Sequence, residues 1–127
     1  MGPSTVSHAL ITSRGGGEVK VLGTPGQRER VEELVAKVPD LPPAALDDLT
    51  VVFEEWPPKR PEGFEPEIGV YNRGTKTIIL HPKRATEQTL CEELYHHIQN
   101  LRGDKVLSHK EAMEFARRYG RPWKRIG

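Results

Sequence analysis

Residues 89–101 read TLCEELYHHIQNL, with two adjacent acids, Glu92 and Glu93, followed by two adjacent histidines, His96 and His97. Each acid has a histidine four residues on. In a helix, side chains four apart lie one above the other, so Glu92 with His96 and Glu93 with His97 form two neighbouring rails. A carboxylate and an imidazole on one rail can share a divalent ion, because their tips converge one turn apart. A second carboxylate directly after the first ligand then stands beside the ion, where it can take a proton from water. The stretch therefore reads as a metal site, as an acid/base pair, or as the solvated polar face of an amphipathic helix.

At about 100° per residue, Leu90, Leu94, Ile98 and Leu101 fall in one sector, which is expected to face the core. Glu92 and His96 then project roughly opposite, with Glu93 and His97 between them and the core. His97 reads as a half-buried histidine at the core edge that could hold the Glu93 carboxylate in place. Cys91 has no adjacent cation and reads as a small buried hydrophobe. Tyr95, Gln99 and Asn100 read as surface or cap residues. His81 and His109 also read as surface residues; their alternative roles are lining the site and substituting as a ligand, respectively.

Several elements must position this helix. EVKVLG (18–23) alternates as a short strand, and Thr24 with Pro25 opens a helix over 25–38, with Val31, Leu34, Val35 and Val38 at helical spacing. LPPAALDDL holds one short helical turn, and DLTVVFEEW (48–56) is a strand by its β-branched and aromatic content. Four prolines in the eleven residues PPKRPEGFEPE make 57–67 a loop. IGVYNRGTKTIIL (68–80) predicts a hairpin around Asn72-Arg73-Gly74. Thr86 caps the site helix, which ends near Gly103, and Ser108 caps a last helix from His109 to Tyr119, closed by Gly120. The expected class is α+β, a small, mostly antiparallel sheet packed on the site helix with flanking helices. Residues 17–120 form one domain, preceded by an arm at 1–16 and followed by a basic tail at 121–127.

Composition narrows the partners. With 19 Lys plus Arg against 18 Asp plus Glu, no global charge calls for nucleic acid or a membrane surface. The single cysteine excludes an intramolecular disulfide and a cysteine-based zinc knuckle. Without a long apolar run, the chain is expected to be soluble and cytoplasmic, or packaged inside a larger particle.

TLCEELYHHIQ resembles the T-L-x-H-E-L-x-H-x-L active helix of zincin-like metallopeptidases, with Thr89, Leu90, Glu93, Leu94, His96 and Ile98 in register. Glu92 stands where the first histidine of that motif belongs. Downstream, HKEAMEFARRYG is similar to the E-A-x-x-F-A helix of minimal gluzincins of the ImmA/IrrE type, whose glutamate is the third metal ligand. The resemblance covers about residues 66–120, and E-E-x-x-H-x-x-Q helices are also similar to those of small proteins from phages and other mobile elements.

The resemblance implies Glu93 as general base and Glu92, His96 and Glu111 as ligands of a divalent ion, Zn or Mn/Fe, in amide hydrolysis of a peptide or protein substrate. A sheet edge would hold that substrate extended. Two carboxylates and one imidazole make a harder, more anionic site than two imidazoles and one carboxylate, with weaker acidification of water. The alternative is a catalytically degenerate zincin-like fold serving as a binding or assembly module, in a phage particle for example. The 1–16 arm and the basic Arg117–Arg125 segment would then make the contacts. A nucleic-acid module built on Trp123 and the basic tail is a third, weaker reading.

Overall fold

The computed structural model describes residues 19–38, 41, 43–55 and 68–126; the 1–16 arm and the 57–67 loop lie outside them. The elements are β1 (Lys20–Leu22), α1 (Pro25–Lys37), α2 (Pro43–Asp47), β2 (Thr50–Phe53), β3 (Gly69–Asn72), β4 (Thr77–Leu80), α3 (Glu87–Arg102) and α4 (His109–Tyr119). The class is α+β. Local chemistry accounts for the helix starts: Thr24, Thr86 and Ser108 each accept a first-turn N–H, and Gly103 ends α3 in the left-handed region at φ 89°.

The sheet order is β1-β2-β4-β3, with β1, β2 and β4 mutually parallel and only β3–β4 antiparallel. This corrects the expected mostly antiparallel sheet. The hairpin was legible because its turn is local, whereas the crossover from β1 to β2 through α1 and α2 returns the chain to run parallel. Within the hairpin, the Asn72 side chain accepts from the N–H groups of Gly74 and Thr75, and the left-handed residue is Lys76 at φ 52°.

One core joins the sheet residues Val21, Val51, Ile78 and Leu80 to Val31 and Leu34 of α1 and to Leu90, Cys91 and Leu94 of α3. Burial pushes the Cys91 thiol up to about 12, aided by the negative charge of Glu87, which leaves it an inert packing group. Leu101 departs from the expected apolar sector and is 42% exposed, while His97 and Gln99 are fully buried. The last turn of α3 is flanked by α2 and α4, which cover polar positions that a helical wheel assigns to the surface.

His97 shows how such a position is satisfied. Its Nε2 lies 2.7 Å from the Ala45 carbonyl oxygen, which can only accept, so Nε2 carries the proton. Burial, the largest influence, holds the imidazole below its ordinary titration range, so Nδ1 is unprotonated and accepts from the Tyr71 hydroxyl at 2.6 Å. Tyr71 in turn accepts from Asn100, and Asn100 accepts from Arg73, whose guanidinium also donates to the carbonyls of Asp104 and Lys105. One chain of hydrogen bonds thus ties α2, β3, the hairpin turn, α3 and the α3–α4 connection. Both ring nitrogens of His97 are thereby engaged, Nε2 by Ala45 and Nδ1 by Tyr71.

Because the folded pKa of His97 is depressed, the unfolded chain binds the proton more readily, and stability falls as pH drops from about 6.5 through the folded value. Urea denaturation at successive pH values is expected to show a loss over that window that is smaller in His97→Phe. The Glu87 carboxyl is held low mainly by its hydrogen bonds to Arg121, so its contribution is lost only below the ordinary carboxyl range.

Residues 121–126, read from sequence as a basic tail, stay exposed from Arg121 to Arg125 but are tied back onto the fold. Ile126 is buried, its N–H donates to the Ala85 carbonyl, and the Lys124 carbonyl accepts from Glu87 N–H, the first of α3. Arg121 grips Glu87 through Nε at 2.7 Å and a terminal guanidinium nitrogen at 2.8 Å, a bidentate pair at the helix N-terminus. Gly120 is what allows this passage: a Cβ there would stand 2.6 Å from the Glu87 carbonyl oxygen and 2.7 Å from the Gln88 backbone. Backbone cannot step aside as a side chain does, so Gly120→Ala is expected to lower stability by about 1–3 kcal/mol in urea denaturation.

Candidate metal centre

The i, i+4 geometry of α3 places Glu92 and His96 side by side, and the first residue of α4 brings His109 to them. The three offer ligand atoms that all lie within 4.8 Å of one another. His109 Nδ1 is 3.0 Å from a Glu92 carboxylate oxygen, and the His96 and His109 rings stack with centroids 6.5 Å apart. Glu92 is not on an open solvated face: its side chain is 19% exposed, because α4 covers that side of α3, while His109 is 74% exposed at the rim.

Glu111, expected as the third ligand, lies elsewhere. Its Oε1 accepts from Gln99 Nε2 at 3.2 Å and from Arg102 at 3.1 Å. The physical reason lies in the cap. Ser108 accepts from the Glu111 N–H, so Glu111 is the third residue of α4, two positions beyond the residue that meets Glu92. It faces the last turn of α3 and its guanidinium.

Gln99, read from sequence as a cap or surface residue, is buried at the centre of this arrangement. Its Nε2 faces the Ser108 carbonyl at 3.1 Å as well as Glu111, and its Oε1 lies 2.9 Å from His96 Nδ1. The signal that could have found it is its place three residues after His96, on a neighbouring position of the same helix face. His109 was detectable in the same way, as the first helical residue after the Ser108 cap.

Glu93, the expected base, is 7% exposed and lines a cleft of about 710 Å³ together with Glu92, His96, His109, Thr89 and the β3 residues Gly69, Val70 and Tyr71. Gly69 permits the close approach of β3 to α3, since a Cβ there would stand 2.6 Å from the Thr89 methyl and 3.4 Å from Glu93 Cγ. Among the described residues β3 pairs only with β4, so its other side is the edge of the sheet. Burial pushes the Tyr71 phenol up, offset in part by Asn100 and Arg73, so at the cleft wall it remains a donor toward His97. Tyr95 is occupied away from the cleft, packed on Phe115 and accepting from Arg102. His81 is outside the lining and has Nδ1 accepting from the Lys83 N–H.

Comparison with known protein families, curated proteins and solved structures found no match for this chain. No helix among the described residues is long and apolar enough to cross a membrane.

Proposed function

We propose that this protein is a divalent-metal-dependent, zincin-like hydrolase acting on the amide bonds of an extended peptide. One observation carries the reading: Glu92, His96 and His109 form a donor set of two imidazoles and one carboxylate beside the buried Glu93. The sequence resemblance calls for two histidines on the site helix and a glutamate on the next. Here the types are permuted, with the carboxylate moved to α3 and an imidazole to α4, and the composition is that of hydrolytic zinc sites.

The residues fit an ion. Donors around a tetrahedral ion at ~2.1 Å stand about 3.4 Å apart, so atoms already within 4.8 Å of one another need a small contraction, and His109 at the rim is placed to make it. A single carboxylate also leaves more positive charge on a divalent ion than the two carboxylates expected from sequence. A bound divalent cation would supply Lewis acidity, polarising a substrate carbonyl and acidifying water. Glu93, next to Glu92 and inside the cleft, takes the proton and passes it to the leaving amine. The edge of β3 that no described strand pairs with offers N–H and C=O groups to an extended chain, aligning its carbonyls along the cleft.

The second reading, a zincin-like fold retained as a binding or assembly module, is favoured by the direct approach of His109 Nδ1 to the Glu92 carboxylate at 3.0 Å, a pairing that needs no ion. Calorimetric titration of chelator-treated protein with zinc, manganese and ferrous iron separates the two. One equivalent bound supports the hydrolase, and no uptake of any of the three removes it in favour of the module.

A further inference from the structure

Gln99 does more than fill space beneath the candidate metal centre. The two groups that face its Nε2, the Ser108 carbonyl oxygen at 3.1 Å and the Glu111 carboxylate at 3.2 Å, are both acceptors. The amide orientation is therefore dictated by its far side, and Oε1 must be the atom turned to His96. An amide oxygen accepts only, so at 2.9 Å the His96 Nδ1 must be the donor. In a neutral imidazole a proton on Nδ1 leaves the lone pair on Nε2.

We propose, resting on the metal reading above, that Gln99 is a positioning residue that holds His96 in its Nδ1–H tautomer and reserves Nε2 as the metal donor. Glu111, which sequence resemblance places on the metal, acts one step further out by orienting the Gln99 amide. Full burial of Gln99 gives this lock its strength, because water cannot substitute for either partner. Arg102 completes the chain by neutralising Glu111 from the solvent side, 3.1 Å away. The whole assembly spans the α3–α4 connection, so the same contacts that dock α4 also set the donor atom of α3. A metal-ligating histidine fixed through its other ring nitrogen is a general device, and loss of the outer partner typically weakens metal affinity by about 10–100-fold.

The test is ¹⁵N NMR of the full, metal-free chain at about pH 8, above the ordinary imidazole range, paired with zinc titration. The parent is expected to carry the His96 proton on Nδ1. Gln99→Leu should move it largely to Nε2 and weaken zinc binding about 10–100-fold. His97, whose proton sits on Nε2 against Ala45, reports in each spectrum that the fold is intact. If Gln99→Leu does not fold, Gln99→Met keeps the side-chain length, removes the amide oxygen facing His96 and should give the same shift at His96. A parent His96 protonated on Nε2, or a tautomer unmoved by these substitutions, overturns the inference. A parent that carries Nδ1–H and takes up no zinc removes the metal reading alone.

Discussion

Exchanging the two donors, Glu92→His together with His109→Glu, is expected to leave zinc affinity close to that of the parent, whereas His109→Ala alone lowers it about a hundredfold. The first half follows from composition: the double exchange returns two imidazoles to α3 and a carboxylate to α4, keeping the same three donors in the same cluster. The second half follows from the worth of a donor. Structural zinc sites contribute roughly 10–16 kcal/mol over four ligands, so one donor carries on the order of 3 kcal/mol, or about two powers of ten in affinity. Glu111→Gln retains an acceptor for Gln99 and removes no donor, so its effect should be far smaller than that of His109→Ala. Calorimetry on the four proteins decides the ligand set. A large loss in Glu111→Gln with none in His109→Ala would return the third ligand to Glu111.

Glu93→Gln is expected to lower peptide hydrolysis by about 10²–10⁴-fold, the usual worth of a positioned general base, while zinc affinity stays near the parent value. The substitution keeps shape and removes the one property the reaction needs, a carboxylate able to take a proton. Its position favours the role: Glu93 is 7% exposed in the cleft, on the rail beside the donors, against the strand edge that would hold the substrate. Burial of an extra amide in place of a carboxylate also makes stability a necessary control, read as an unchanged thermal midpoint. Hydrolysis surviving at parental rate in the folded variant would assign the activity to another group.

What was legible in the sequence is what local chemistry decides. Thr24 with Pro25, Thr86 and Ser108 mark three helix starts by side-chain oxygens that accept first-turn N–H groups, and all three helices begin where those residues place them. The β3–β4 hairpin was visible for the same reason, because its turn residues and both strands lie within thirteen positions of one another. The pairing of Glu92 with His96 followed from helical periodicity alone. Gln99 was misplaced because its surroundings are made by α4, and no periodicity of α3 reveals which of its sides α4 will cover; His109 is exposed as read, and its approach to Glu92 depends on how α4 docks. Leu101 was assigned to the core by the same wheel and is exposed, since the apolar sector outruns the packing surface at the last turn. The parallel pairing of β1, β2 and β4 rests on a crossover whose direction no short stretch encodes.

The docking of residues 120–126 on the start of α3 gives the site an order of construction. On the ribosome, synthesis runs from the N-terminus, so Glu92, Glu93 and His96 emerge well before Arg121 and Ile126 can reach Glu87 and Ala85. Until then the helix carrying the donors has its first turn unmoored. His109 and the Ser108 cap arrive between the two events, and the Arg121–Glu87 grip closes last. The helix that carries Glu92 and His96 is therefore anchored by a segment that is itself no part of their cluster, and a fusion or cleavage at residues 120–126 would unsettle the proposed metal site from its far end.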